Sequence, residues 1–198
     1  MIEKQRTIVF GGTKGIGKTI SKVLKNRGDF VITSSRRKSN KENHLTIDLN
    51  SGQKIINKSL NSYFSLYKKK ISNLIFCQRY RGDNEYDDFE VSLHSSSHII
   101  NYFQNLLTNN ASIVLISSIA IKTIIDDQPL SYHVTRSGID QMTKYYATKL
   151  GNRSIRCNCI LPTKIIKPEN KKFYLKKGNK ITKLVKKITP LNKMGSSD

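Results

Sequence analysis

Two clusters in this chain have residue types and spacing suited to chemistry. The first is Ile8-Val9-Phe10-Gly11-Gly12-Thr13-Lys14-Gly15-Ile16-Gly17-Lys18, a glycine-rich turn between a β-branched run and a segment of helical period. A diphosphate held at such a turn must approach bare main-chain N–H groups at a helix N-terminus, where the dipole favours its charge. Side chains at Gly11, Gly15 or Gly17 would block that approach or the helix-to-strand packing. The Gly-x-x-x-Gly-x-Gly spacing therefore predicts a dinucleotide, with Thr13, Lys14 and Ile16 completing the loop. The second cluster, Ser34-Ser35-Arg36-Arg37, ends the next apolar run, where an NAD site usually places a carboxylate for the ribose hydroxyls. Hydroxyls and paired guanidinium forks at Ser35, Arg36 and Arg37 instead fit a 2′-phosphate, so NADP(H) is the expected cofactor. Asp48 closes a third run, where its carboxylate either accepts from the adenine amino group or caps the following helix.

The elements that must position these residues alternate along the chain. Strands are expected at Thr7–Phe10, Phe30–Ser34, Leu45–Ile47, Leu74–Phe76, Ile113–Ile116 and Ile155–Ile160. Helices are expected between the first two strands, at Gln53–Tyr63, at about Phe89–Leu107, and at Tyr132–Leu150. This βαβ rhythm predicts an α/β fold: a Rossmann-like doubly wound parallel sheet with flanking helices. Residues 1–163 form the dinucleotide-binding body with the catalytic segment. Residues 164–198 form a Lys-rich substrate loop or tail of the same domain, with one helix near Asn179–Ile188 and no convincing strand.

Composition narrows the function further. With 198 residues, 37% hydrophobic and 25% charged, the chain has room for one domain with a real core and does not resemble a disordered or collagen-like sequence. No run is apolar enough for a membrane span and the N-terminus does not read as a signal peptide, so a soluble, cytoplasmic protein without membrane partners is expected. Cys77, Cys157 and Cys159 offer neither a disulfide framework nor a CxxC zinc pair. The net charge of +21 arises from 35 basic and 14 acidic residues, and residues 164–198 hold eleven lysines against Glu169 and Asp198. Either a general bias toward Lys, Asn and Ile leaves these charges on solvated faces, or the basic stretch meets nucleic acid, anionic lipid or an acidic substrate. Nucleic acid is a poor partner, because such readers favour Arg and stacking aromatics. His94 and His98 are spaced like metal ligands but lack a supporting cluster, so no metal site is expected. The acidic run from Asp83 to Glu90 reads as a solvated helix entry.

Further motifs follow in order. Ser112-Ile113-Val114-Leu115-Ile116-Ser117-Ser118 is followed by Ser131-Tyr132-His133-Val134-Thr135-Arg136-Ser137-Gly138, and then by Ile155-Arg156-Cys157-Asn158-Cys159-Ile160-Leu161-Pro162. With the glycine-rich turn, they make the chain resemble the short-chain dehydrogenase/reductase family over nearly its whole length. The resemblance implies that Ser118 holds a carbonyl oxygen, that Tyr132 protonates it, and that Arg136 stands where the family has a lysine. It also implies reversible hydride transfer between NADP(H) and a carbonyl or secondary alcohol, with a 3-oxoacyl thioester among the candidates.

The chain departs from the family pattern at several places. Phe76-Cys77-Gln78-Arg79 replaces Asn-Asn-Ala-Gly, Ser92 aligns with a helical asparagine, and Thr163 and Lys167 replace a Gly and a Thr. Thr189–Gly195 resembles the approach to the family's last helix and strand, so the closing edge strand is expected to be missing. The lysines of 164–198, with Arg79 and Arg81 beside the cleft, hint at an anionic small-molecule substrate. A homodimer or higher oligomer is expected through the two long helices. The competing reading is a catalytically impaired relative that binds nucleotide or a protein partner.

Overall fold

The structure, a computed structural model, describes residues 4–41, 43–65 and 69–197. Six parallel strands form its sheet: β1 (Arg6–Phe10), β2 (Phe30–Ser35), β3 (His44–Thr46), β4 (Ile71–Phe76), β5 (Leu107–Ile116) and β6 (Arg156–Ile160), in the order β3-β2-β1-β4-β5-β6. Parallel strands sandwiched between helices bury both faces, which is why β1 needs no polar alternation and wholly buries Ile8, Val9 and Phe10. The chain winds outward from β1 to β3 and then resumes at β4 on the other side of β1. That reversal opens a crevice at the C-terminal ends of β1 and β4, the usual ligand position in open α/β sheets.

Helices cover the two faces unequally. Helix α1 (Gly15–Asn26) packs Ile20 and Leu24 against Val9, Val31 and Ile75. The opposite face carries the larger core, under α2 (Gly52–Phe64), α4 (Ser95–Phe103) and α5 (Leu130–Leu150). There Phe103 meets Phe64 edge-on at 5.0 Å, and Phe10 stacks on Phe76 at 5.1 Å. Before α4, the short helix α3 (Glu85–Phe89) runs into a single π-turn, Glu90–His94.

Most expected elements are present, and the departures have local causes. The helix expected to reach Leu107 stops at Phe103, and β5 begins at Leu107 instead of Ile113. Asn109 and Asn110 hid this early strand, since both are exposed and Asn110 takes φ +64°. Arg153 fastens the junction by donating to the carbonyls of Gln104 (2.5 Å) and Leu107 (2.8 Å). Residues 164–197 are also more ordered than a tail without strands. Strand β7 (Ile165–Ile166) pairs with β8 (Gly195–Ser196), enclosing α6 (Lys171–Tyr174) and α7 (Lys180–Ile188). Among the described residues no strand pairs with the outer edge of β6. No helix among them is long and apolar enough to cross a membrane.

Phe103→Ala is expected to cost about 3–5 kcal/mol by removing a wholly buried ring, whereas Phe173→Ala, at 55% exposure, should stay within about 0.5 kcal/mol. Urea unfolding followed by circular dichroism checks the contrast.

Candidate active site

The glycine-rich turn lies at the crevice, and its glycines are required by contact. Gly11 has φ +71°, and a Cβ there would lie 2.8 Å from the Gln78 nitrogen. A Cβ on Gly17 would fall 2.4 Å from the Gly11 carbonyl oxygen. Gly12, not singled out by its spacing, is equally confined, because its Cβ would meet the Val9 oxygen at 2.8 Å. Ser21, in α1, ties the helix to the turn by donating to the Gly12 carbonyl at 3.3 Å. The Cys77 N–H donates to the Phe10 carbonyl at 2.9 Å, holding the end of β4 against the turn.

Lys14 precedes α1 in extended conformation and offers no side-chain cap, so the first N–H groups of the helix lack that partner. Thr13 and Lys14 are exposed and Ile16 is half-buried. This is a cradle that a Cβ would fill, with main-chain donors at a helix N-terminus, and it fits a diphosphate. The 164–197 segment passes over its mouth: a Cβ on Gly15 would lie 3.2 Å from Glu169 Oε1 and 3.4 Å from Lys167 Cδ. Thr19 also reaches Ser197, Oγ1 to Oγ, at 3.3 Å.

Arg36 and Arg37 are exposed just beyond β2, and Ser35 is half-buried. Their turn is organised by His44, whose Nε2 lies 3.1 Å from the Arg37 carbonyl oxygen and 3.3 Å from Ser35 Oγ. Nothing in the sequence singled out His44. Asp48 accepts from the Asn50 N–H at 3.0 Å in a local turn ahead of α2. Asp48 therefore does not cap α2, whose N-cap position is Ser51.

At the other end of the crevice, Ser118 follows β5 and is buried, its Oγ accepting from the Ala120 N–H at 3.2 Å. Tyr132 sits in the first turn of α5, with Arg136 one turn later. Arg136 is only 2% exposed, and its Cζ lies 5.1 Å from the centre of the Tyr132 ring. Its Nη2 donates to Ser92 Oγ at 2.5 Å, Ser92 donates to Asp88 Oδ1 at 2.6 Å, and Nη2 lies 3.7 Å from the same carboxylate oxygen. Burial pulls the Arg136 guanidinium below its ordinary range, against the opposing pull of Tyr132 and Asp88.

The expectation that the acidic run is simply solvated is therefore corrected at Asp88, which is 5% exposed and pairs with the buried cation. The π-turn carries Ser92, and Gly138 lets α5 close on that turn, since a Cβ there would lie 2.9 Å from Leu93 Cδ1. Two buried polar atoms, Gln78 Oε1 and Arg136 Nε, have no hydrogen-bond partner among the described residues.

The thiols are not poised for chemistry. Burial pushes Cys77 and Cys157 up to about 12, and all three cysteines are free. His94 pairs with Glu90 and His98 with Asn57, and no metal-binding cluster occurs among the described residues.

Removing one partner of a buried ion pair leaves an uncompensated charge. Asp88→Ala should therefore cost about 3–5 kcal/mol, and a second change, Arg136→Met, should restore most of it. Urea midpoints of the two variants check this. Equal loss in single and double variants would contradict the pairing.

Comparison with known proteins agrees with this geometry. A family model described as enoyl-(acyl carrier protein) reductase matches residues 81–198, well over half the chain. Senescence-associated protein 13 of Arabidopsis thaliana is 25% identical over 96% of this chain and 78% of its own length. Carbonyl reductase family member 4 of Danio rerio is 25% identical over 78% of this chain and 73% of its own length. A short-chain dehydrogenase from Leptospira borgpetersenii, solved with bound NAD+, shares the fold with a TM-score of 0.80 at 21% identity, covering 98% of this chain and 81% of that one. With the six-stranded sheet, the glycine cradle and the matched segment in agreement, the chain belongs to the short-chain dehydrogenase/reductase family of oxidoreductases.

Proposed function

We propose that this chain performs reversible hydride transfer between NADP(H) and a carbonyl or secondary alcohol, with Ser118 and Tyr132 at the reacting oxygen and Arg136 as the fixed cation beside them. The observation that carries the reading is the glycine cradle at the strand-order reversal, where a Cβ on Gly17 would collide with the Gly11 carbonyl. The names of relatives point the same way: one is a carbonyl reductase family member, and one solved neighbour holds NAD+.

The diphosphate would rest on the Gly11–Gly17 main chain, and Ser35, Arg36 and Arg37 would hold a 2′-phosphate. The bound dinucleotide supplies or takes the hydride. Gln78 Oε1, on the residue packed against Gly11, and Arg136 Nε, on the residue beside Tyr132, are buried without partners among the described residues, and ligand hydroxyls would satisfy them.

The chain's own residues handle the proton. The Tyr132 hydroxyl donates to the carbonyl oxygen as negative charge develops there. Ser118 already accepts from Ala120 N–H, so its own proton remains available to hold that oxygen. Arg136 contributes charge and cannot release a proton near neutral pH, so it replaces a lysine electrostatically and not as a relay member. A cytoplasmic setting and dimerisation through the helices around 85–103 and 130–150 complete the proposal.

Fluorescence titration separates the cofactor reading from its rivals. Arg36→Ala/Arg37→Ala should weaken NADPH binding by about tenfold or more while changing NADH binding much less. Equal affinities of the wild-type protein for the two dinucleotides would overturn the NADP assignment. In a panel of ketones and aldehydes with NADPH, Tyr132→Phe should abolish turnover and leave binding intact. A wild-type protein that binds NADPH yet reduces nothing in the panel contradicts the catalytic half of the proposal.

A further inference from the structure

Beside the Tyr132 ring lies a group of cations that the reaction above does not use. Arg79 follows β4, and its guanidinium covers the Tyr132 ring, with Cζ 4.6 Å from the ring centre. It donates to Gln128 Oε1, a neutral amide. Gln128 is anchored in turn through its Nε2, which donates to the carbonyl oxygen of Asp127 at 2.7 Å and to its carboxylate at 3.1 Å. The Asp127 carboxylate is already engaged by Lys164 at 3.1 Å. The chain Arg79–Gln128–Asp127–Lys164 thus orients the guanidinium without neutralising it.

Lys167 lies within electrostatic reach of both Arg79 and Arg81. Burial first, and then the charges of Arg81 and Arg79, pull the Lys167 ammonium below its ordinary range, while Glu169 opposes them. None of Arg79, Arg81 and Lys167 makes an ion pair among the described residues. The neighbouring cation, Arg136, already has its carboxylate in Asp88.

These cations divide the crevice between two anions. Lys167 flanks Gly15 and so adjoins the diphosphate cradle. Arg79 adjoins Tyr132, at the reacting end. An oriented, unneutralised fork beside the proton donor matches a planar carboxylate bidentately. Its contact with the Tyr132 ring keeps that carboxylate close to the carbonyl being reduced.

We infer that Arg79 is the substrate-recognition residue of this site and that the substrate is an oxo acid, with its carboxylate at the 2- or 3-position relative to the reacting carbonyl, or the corresponding hydroxy acid. The inference rests on the hydride-transfer reading for its catalytic consequence, but the carboxylate contact itself does not require turnover.

Acetoacetate with ethyl acetoacetate, and pyruvate with methyl pyruvate, provide matched carbonyls with and without the charge. Reduction by NADPH should favour each acid over its ester by about tenfold or more in kcat/KM. Arg79→Gln should erase that preference by raising KM for the acids, with little change for the esters, and Arg79→Lys should restore part of it. Lys25→Gln, the same charge change at the far end of α1, should leave the preference intact.

Calorimetric titration of the acids and esters, with and without NADPH, reads the contact without chemistry. If no carbonyl is reduced but acid binding still depends on Arg79, the clamp stands and the hydride-transfer reading fails. If esters and acids are used and bound equally, or if Arg79→Gln leaves the acid preference unchanged, the oxo-acid inference is overturned.

Discussion

Everything at this site depends on how closely the main chain packs where α1 leaves β1. Gly17 presses against the Gly11 carbonyl, Gly11 presses against the chain after β4, and Ser21 laces the helix to the turn. Such contacts leave no room for side chains, so the helix N-terminus is presented as bare N–H groups at the point where the sheet order reverses. The close packing also fixes the far end of the crevice. The segment held against Gly11 is Cys77–Gln78, and the next residue is Arg79, whose guanidinium lies over Tyr132. One backbone constraint therefore links the glycine turn to the residues around Tyr132.

The second organising element is electrostatic. A guanidinium at position 136 is larger than the lysine of the family pattern and keeps its charge even when buried. The fold meets this with Asp88 and Ser92, two residues brought to one side by the π-turn, and with Gly138, which lets α5 approach it. A buried cation with its own carboxylate is a settled arrangement, distinct from a surface arginine that happens to fall in a catalytic register. By contrast Arg79 donates to a neutral amide and makes no ion pair among the described residues.

Much of this was legible in the sequence because periodicity and glycine spacing report local physics. The β-branched runs marked four of the six strands to within a residue at each end, β4 and β5 starting earlier than expected, and Gly11, Gly15 and Gly17 marked the cradle, since few other constraints demand three glycines at that spacing. What stayed hidden depends on contacts distant in sequence. Asp88 looked solvated because its neighbours Glu85 and Asp87 are polar, and only packing against Arg136, 48 positions later, shows it buried. His44 could not be linked to the Ser35–Arg37 turn before β2 and β3 were paired. The early start of β5 was masked by two exposed asparagines that interrupt its apolar residues. The crossing of the Lys-rich segment over Gly15 had no local signal, because α6 and α7 bury none of their residues and the contacts beside α1 come from Lys167, Glu169 and Ser197.

The most direct test is to observe the backbone amides of the turn while dinucleotide is added. In 15N-labelled protein at moderate salt, NADPH should shift the amide resonances of Gly11 through Gly17 and those of Ser35–Arg37, saturating together at one affinity. Shifts confined to the lysines of 164–197 and fading as salt rises would mean that only scattered charge had been touched, and that the cradle does not bind the dinucleotide.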